Sequence, residues 1–91
     1  MTARPIVEVH TTSDFGKSFR KLPRHIQDVA EKKDRWFRAN AHDPRLRTHK
    51  LKGSLEGYWA YSITLQYRVL FRFLDHDKAL YYDVGTHEIY R

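Results

Sequence analysis

Two histidines and one arginine in the second half of the chain have the side chains that metal-free RNA cleavage needs. Such cleavage removes a proton from a ribose 2′-OH, stabilises charge on the phosphate and protonates the departing 5′ oxygen. An unperturbed imidazole titrates at about pH 6.5 and can act as base or acid, whereas arginine stays charged and can grip phosphate with two hydrogen bonds. We assign the base to His49, the phosphate clamp to Arg68 and the acid to His87. The two histidine roles can be exchanged, and the sequence does not decide between them.

The strands that must position these residues are predicted in the same half of the chain. His49 to Lys52 is a short extended piece, and Gly53 to Gly57 is a turn. Three segments rich in β-branched and aromatic residues follow, and they predict an antiparallel meander. These segments are Tyr58 to Leu65, Tyr67 to Leu74 and Ala79 to Gly85.

Tight turns between these strands bring the three candidate residues to one end of the predicted sheet. Arg68 lies within the meander, His87 follows just beyond its last strand, and the turn at Gly53 folds His49 back toward them. The predicted cross-strand neighbours are Ile63 and Gly85 for Arg68, and Ala60 or Tyr61 for His49.

Side chains alternate along each strand and therefore sort into two faces. The apolar face should pack on helices and carries Tyr58, Val69, Phe71, Phe73, Leu80, Tyr82 and Val84. The opposite face mixes cations with aromatic rings and carries Trp59, Tyr61, Arg68, Arg72, Tyr81 and Asp83. Such a mixture binds phosphates and stacks on unpaired bases, although ordinary cross-strand packing explains it as well. We assign RNA binding to Lys50, Lys52, Tyr61, Arg72 and Tyr81, and we expect Asp83 to pair with Arg68 or Arg72.

The first half of the chain predicts one strand followed by two helices. Ile6 to His10 alternates as a half-buried strand does, and the hydroxyls of Thr11, Thr12 and Ser13 can cap a helix. Pro23 ends that first helix and begins a second, which runs to about Asn40. The buried stripes of the two helices are Phe15, Phe19 and Leu22, then Ile26, Val29, Ala30 and Phe37. On the charged side of the second helix, we expect the pairs Glu31 with Arg35 and Asp34 with Arg38.

Composition indicates one soluble domain with an anionic partner. The chain has 91 residues, 17 Lys and Arg against 11 Asp and Glu, and a net charge of +6, which favours a polyanion such as RNA. It has no cysteine, so a disulfide framework and a thiolate metal site are excluded. No stretch approaches the roughly 20 apolar residues of a membrane span. We therefore expect a cytoplasmic protein that contacts no membrane and needs no metal or other cofactor.

The segments HKLKG, GYWAYSI, YRVLF and GTHEIYR, in that order, resemble the RelE/ParE superfamily of type II toxins. The preceding stretch FGKSFRKLPRHIQDVAEKKDRWF is similar to the helical hairpin of these toxins. The resemblance covers most of the chain. It implies a single α+β domain over residues 1–91, with two N-terminal helices packed on a small antiparallel sheet in the order β-α-α-β-β-β.

The resemblance also implies an activity and partners. The mRNA interferases of this superfamily cut mRNA, typically in the ribosomal A site, and a cognate antitoxin blocks them. His49 matches a histidine of the YafQ branch, Arg68 the phosphate-binding arginine, and His87 the histidine of the YafQ GTH motif. Tyr90 lies where several members have a tyrosine that stacks on a base or assists catalysis. The expected function is therefore a ribosome-dependent endoribonuclease toxin whose partners are an antitoxin, mRNA and the ribosome.

Two other functions are compatible with the same residues. A ParE-like toxin has the same fold but poisons DNA gyrase, and His49 and His87 are then incidental. A non-catalytic RNA-binding module uses Arg68, Arg72 and the aromatic face without forming a product.

Overall fold

Two helices and five short strands make up the computed structural model, which describes residues 5–90. In chain order the elements are β1 (Glu8–Thr11), α1 (Ser13–Lys21), α2 (Arg24–Ala39), β2 (His49–Lys50), β3 (Trp59–Ser62), β4 (Arg68–Asp75) and β5 (Lys78–Gly85). Three short 3-10 turns complete the described chain, at Pro44–Leu46, Gly53–Leu55 and His87–Tyr90. We call the last of these the C-terminal turn.

The strands form one sheet in the order β1-β5-β4-β3-β2, with β1 and β2 at its edges. Neighbouring strands are antiparallel except β1 and β5, which run parallel and are joined at their ends by Val7 N–H to Asp77 O (2.8 Å) and Thr12 N–H to Tyr81 O (3.1 Å). Both helices pack on one face. The predicted α+β architecture is confirmed, and the parallel β1 makes the sheet mixed rather than purely antiparallel.

Phe37 of α2 is the centre of the core and is fully buried. Its ring lies 5.0 Å from that of Tyr61, 4.9 Å from Phe71 and 5.6 Å from Tyr81. These contacts define the helix face of the sheet. Arg68, Leu70 and Arg72 of β4 alternate with the core residues and define the opposite side, which we call the open face.

The predicted division of side chains between the two faces is wrong for six aromatic and aliphatic residues. Trp59, Tyr61 and Tyr81 lie on the helix face, and Tyr61 and Tyr81 are only 1% and 3% exposed. Neither ring can stack on an RNA base, so the RNA-binding role predicted for both tyrosines is wrong. Tyr58, Leu80 and Tyr82 lie on the open face instead.

Two local departures from the predicted register cause this exchange. In β3, Arg68 pairs with Ser62 rather than Ile63, because the N–H groups of Ile63 and Thr64 both donate to the carbonyl of Tyr67. A one-residue slip turns every β3 side chain to the other face. In β5, Tyr82 is an extra residue between the pairs Leu70–Asp83 and Phe71–Tyr81, which is a β-bulge.

Hydrogen bonds at its two ends attach α1 to the rest of the fold. Thr12, one of the three predicted capping residues, is the N-cap: its Oγ1 accepts from Phe15 N–H at 3.0 Å and donates to the Tyr82 carbonyl at 2.7 Å. At the other end, the Gln27 amide donates to the carbonyls of Phe19 and Leu22, each at 3.1 Å. Between these ends, no residue of α1 is fully buried.

A half-open cavity of about 160 Å³ lies beneath α1. Its apolar lining includes Phe15, Phe19, Val69, Tyr81 and Val84, while Glu31, Asp34 and Arg38 contribute the polar part. α1 therefore covers the sheet without filling the space under it.

A chain of hydrogen bonds connects the buried tyrosines to α2. Tyr61 donates to the Tyr81 hydroxyl at 3.0 Å, Tyr81 donates to Asp34 Oδ1 at 2.7 Å, and Arg38 Nε donates to Asp34 Oδ2 at 2.9 Å. The last contact confirms the predicted pair Asp34 with Arg38. No helix in residues 5–90 is long and apolar enough to cross a membrane.

Replacing Thr12 by Ala removes both the cap and the bond to the bulge. We expect a loss of about 1–2 kcal/mol in the free energy of unfolding and a fall in Tm of about 4–8 °C for each kcal/mol. Thermal unfolding followed by circular dichroism measures this. Thr12→Ser keeps the hydroxyl and should stay close to wild type; equal Tm values for Thr12→Ala and wild type would refute the role of the hydroxyl.

The buried tyrosines also predict how stability changes with pH. Burial raises the pKa of Tyr61 and of Tyr81, and the neighbouring Asp34 carboxylate adds to the rise at both. The folded chain thus keeps these protons to higher pH than the unfolded chain. Their contribution is complete below about pH 10, the ordinary tyrosine pKa, and is lost as pH rises above it.

Tyr81→Phe should therefore flatten the alkaline loss of stability, and urea unfolding at pH 8 and pH 11 measures this. Tyr58→Phe, on the open face, is the matched control and should lose stability with pH as the wild type does. A decline in Tyr81→Phe as steep as that of wild type would contradict the assignment.

Candidate phosphate-binding and catalytic site

Arg68 and His87 meet at the end of the sheet where β4 begins and β5 finishes. Arg68 pairs with Ser62 on one side and Gly85 on the other, so the predicted Gly85 neighbour is confirmed. Its Nη1 lies 3.3 Å from His87 Nε2. A guanidinium can only donate, so this contact requires an unprotonated Nε2 that accepts. The pair presents one permanent cation beside one group able to exchange protons.

Tyr90 completes this cluster from the far end of the C-terminal turn. Its ring lies 5.9 Å from that of His87, nearly perpendicular to it. The Tyr90 hydroxyl is buried but has no hydrogen-bond partner among residues 5–90. Burial raises the pKa of this hydroxyl, while the nearby Arg68 charge opposes the rise. A buried hydroxyl without a partner is costly, and such groups are uncommon in folded proteins.

Gly85 allows the C-terminal turn to fold over the end of the sheet. A Cβ built on Gly85 would lie 3.0 Å from Cγ2 of Ile89, closer than side chains normally pack. Ile89 therefore occupies the space that a larger residue would fill. This packing holds His87 and Tyr90 above the Arg68 strand.

His49 lies apart from that cluster, on the edge strand β2. It pairs with Ala60, as predicted, and β3 lies between its strand and that of Arg68. From a strand spacing of about 4.8 Å and a rise of about 3.3 Å per residue, the two Cα atoms are roughly 12 Å apart. The structure thus brings Arg68, His87 and Tyr90 together and places His49 across the open face from them.

The imidazole of His49 is oriented by the turn that precedes it. Its Nδ1 lies 2.9 Å from the carbonyl oxygen of Arg47, and a carbonyl can only accept, so Nδ1 carries the proton. Arg47 itself has φ 54°, the left-handed conformation that non-glycine residues rarely adopt. In the neutral ring, Nε2 is then free to accept a proton.

Farther along β4 from Arg68, the open face carries a group that the sequence prediction missed. Tyr58 and Tyr82 form an edge-to-face pair with centroids 4.9 Å apart, and the Arg72 guanidinium lies 5.9 Å from the Tyr58 ring. Both tyrosines are half-buried and Arg72 is exposed. Strand alternation alone assigns Tyr58 and Tyr82 to the core, and only the slip in β3 and the bulge in β5 move them outward.

Two residues predicted to bind RNA, Lys50 and Lys52, and one predicted to pair with an arginine, Asp83, lie in different surroundings. Lys50 is exposed, but its ammonium lies 5.6 Å over the ring of Trp59, on the helix side of the sheet. Lys52 is exposed at the start of the second 3-10 turn. Asp83 accepts from the N–H of Val84 and makes no ion pair within residues 5–90, so its predicted pairing with Arg68 or Arg72 is wrong.

One group of possible metal ligands occurs within the part of the chain that the structure describes. Asp75, His76 and Asp77 lie in the turn between β4 and β5, with ligand atoms within 4.8 Å of one another. His76 already contacts Asp75 Oδ1 through its backbone N–H at 2.7 Å and through its Nδ1 at 3.0 Å, which accounts for the closeness of these two side chains. The group lies at the opposite end of β4 from Arg68 and is separate from the candidate site.

Several solved structures similar to this chain are those of bacterial toxins. The YoeB/ParE toxin from Agrobacterium tumefaciens superposes with a TM-score of 0.75 over 89% of this chain and 99% of that one, at 15% identity. YafQ from Escherichia coli gives 0.70 over 90% and 94%, at 14% identity. The RelBE2 toxin–antitoxin complex from Mycobacterium tuberculosis gives 0.66 over 88% and 96%, at 23% identity.

The chain therefore has the RelE/YoeB/YafQ-like toxin fold that the sequence resemblance implied. No protein-family model matches the sequence, and no curated protein matches it. At these identities the similarity establishes the fold alone.

Replacing Gly85 by Val should displace Ile89 and lift the C-terminal turn from the sheet. Overpacking of this kind typically costs about 1–3 kcal/mol of unfolding free energy, and the ring resonances of His87 and Tyr90 should shift in NMR spectra. Thr86→Val, at the adjacent exposed position, is the control. Unchanged stability and resonances in Gly85→Val would show that the turn does not depend on this close approach.

Proposed function

We propose that the protein is the toxin of a type II toxin–antitoxin system and cleaves mRNA during translation. The observation that carries the proposal is the cluster of Arg68, His87 and Tyr90 at the end of the open face, on a fold that known toxins share. A basic net charge of +6 supports a polyanionic substrate.

Arg68 binds the scissile phosphate, and His87 protonates the leaving 5′ oxygen. A phosphate is a better acceptor for the guanidinium than an imidazole nitrogen, because the hydrogen bonds are charge-assisted and can be bidentate. RNA binding thus frees His87 Nε2 from Arg68, and the ring can take up a proton beside the phosphate. Tyr90 is proposed to add a further donor beside His87, which requires the C-terminal turn to shift, because its hydroxyl is buried in the free chain.

His49 takes the proton from the 2′-OH. The bond from Nδ1–H to the Arg47 carbonyl leaves Nε2 as the accepting nitrogen, which is the tautomer that a general base requires. The 2′ oxygen then attacks phosphorus, and the bond to the 5′ oxygen breaks as that oxygen receives the proton of His87. The roughly 12 Å between the Cα atoms of His49 and Arg68 leaves room for one nucleotide between their side chains.

The aromatic pair on the open face gives the RNA a place to stack. Tyr58 and Tyr82 lie on the same face, farther along β4 than Arg68, and Arg72 beside them can hold a neighbouring phosphate. Stacking on such rings contributes about 1–3 kcal/mol per base. This surface replaces the one that Tyr61 and Tyr81 were predicted to form.

The proposed partners are mRNA on the ribosome and a cognate antitoxin, all within the cytoplasm. Toxins of this fold occur in solved complexes with antitoxins, among them DinJ–YafQ from Escherichia coli and YoeB–YefM from Staphylococcus aureus. An antitoxin segment that covers the basic open face would keep RNA away from Arg68.

Controlled expression with and without substitutions tests the proposal. Wild-type protein should arrest growth, and primer extension should map cuts in a translated reporter but not in the same message without a start codon. Arg68→Ala and His87→Ala should each reduce cleavage about 10²–10⁴-fold, the usual contribution of an acid–base or charge-stabilising group. His25→Ala, an exposed histidine of α2, is the matched control and should cut normally.

Two results would replace this function by another. Growth arrest with intact messages and broken DNA would identify a ParE-like action on gyrase. RNA binding that survives loss of both His49 and His87, with no product from the wild type, would identify a non-catalytic binding module.

A further inference from the structure

A second group of cations surrounds one indole ring on the helical side of the molecule. The Arg45 guanidinium carbon lies 3.6 Å from the centroid of the Trp36 ring, the Lys33 ammonium 4.5 Å and the Lys32 ammonium 5.2 Å. None of these residues belongs to the open face. We call these four residues the Trp36 cluster.

Two separate elements build the Trp36 cluster. Lys32 and Lys33 precede Trp36 by four and three residues on α2, so all three share one side of the helix. Arg45 comes from the first 3-10 turn, where Asp43 holds its Nη2 at 2.7 Å and its Nε at 3.1 Å. These bonds with Arg45 lower the pKa of Asp43 to about 2, and they hold the guanidinium over the indole.

The positive charge of this cluster is only partly compensated. Asp43 is one carboxylate against three cations. The pKa of Lys33 is lowered, first by partial burial and then by repulsion from Lys32 and Arg45, while Asp43 opposes the decrease only weakly. An anion bound between the two lysines would remove that repulsion.

Two carboxylates of α2 lie away from the Trp36 cluster, and a third, Asp28, lies one turn before Lys32 and pairs with Arg24 at 3.6 Å. Glu31 and Asp34 face the cavity beneath α1, where Arg38 pairs with Asp34. The opposite side of the helix carries Lys32, Lys33 and Trp36. A long anionic partner can therefore approach the Trp36 cluster without meeting Glu31 or Asp34.

The geometry of the ring indicates contact with phosphate rather than with bases. Arg45 at 3.6 Å already covers the indole, so the ring is not free to stack on a base as Tyr58 and Tyr82 are. The lysines around it are point charges with no fixed hydrogen-bonding pattern for base edges. Contacts to phosphate do not depend on the base sequence of the RNA, and they weaken as the salt concentration rises.

We propose that the Trp36 cluster is a second RNA-binding site, which contacts the phosphate backbone of folded RNA on the side away from Arg68 and His87. This inference rests on the proposed action on mRNA and adds a second contact to it. The protein measures 36 × 30 × 23 Å, so one extended strand bound at Arg68 would have to wrap around the sheet to reach α2. A folded RNA that surrounds the toxin reaches both sides at once.

Binding measurements with two uncleavable probes test this site. The probes are a 20-base-pair RNA duplex and a 10-nucleotide single strand, both fully 2′-O-methylated so that no 2′-OH can be deprotonated. The variant is Lys32→Gln combined with Lys33→Gln. Its control is Lys17→Gln combined with Lys21→Gln, which removes the same charge from exposed positions on α1.

The Lys32 and Lys33 variant should bind the duplex at least about 10-fold more weakly than the control variant. The slope of log affinity against log salt should fall by about 1–2, because each lost phosphate contact contributes about 0.9 to it. Affinity for the single strand should equal that of the control. Unchanged Tm in both variants would exclude a mainly structural role for the lysines.

Three outcomes would overturn the second site: duplex affinity equal to that of the control variant, an equal loss on both probes, or a lower Tm that accounts for the loss. These outcomes are independent of cleavage. If the wild type cuts no message but the duplex contrast holds, the proposed nuclease function fails and the second site stands. If messages are cut but the two variants bind the duplex equally well, the second site fails and the proposed nuclease function stands.

Discussion

The bulge at Tyr82 determines which side chains of β5 pack against the helices and which reach solvent. After the bulge, the even-numbered Val84 faces the core. Before it, the odd-numbered Ala79 and Tyr81 face the core, so the bulge reverses the alternation of side chains along β5. Thr12 stabilises this irregularity from outside the sheet. Its N–H donates to the Tyr81 carbonyl and its hydroxyl to the Tyr82 carbonyl, so both carbonyls at the bulge have partners.

The two faces of the sheet consequently have different roles. On the helix face, Tyr81 links Tyr61 to Asp34 and joins the sheet to α2. On the open face, Tyr82 meets Tyr58 beside Arg72. A regular β5 strand would bury Tyr82 and expose Tyr81, and the proposed RNA surface would lose one of its rings while the core lost its hydrogen-bonded tyrosine pair.

The sequence predicted the elements and the ends of the sheet better than it predicted the faces. Arg68 beside Gly85 and His49 beside Ala60 are as predicted, because turn residues and strand lengths limit where neighbouring chains can pair. Which side a residue faces depends on a single extra residue, at Tyr82 or in the loop before Tyr67, and tyrosine is compatible with either face. The approach of Arg45 to Trp36 joins two elements through a 3-10 turn, and no periodic pattern in the sequence indicates such a contact.

The weak attachment of α1 has a consequence for the dynamics of the fold. Hydrogen bonds at Thr12 and Gln27 secure its ends, but its middle rests above a cavity and buries no residue completely. A segment that packs on the core only through the partly buried Phe15 and Phe19 is a candidate for local opening below the free energy of global unfolding. Amide hydrogens in the middle of α1 should then exchange by local opening, while those of β4 and β5 exchange only when the whole domain unfolds. If the exchange follows this pattern, α1 opens while the sheet that bears the candidate site stays folded.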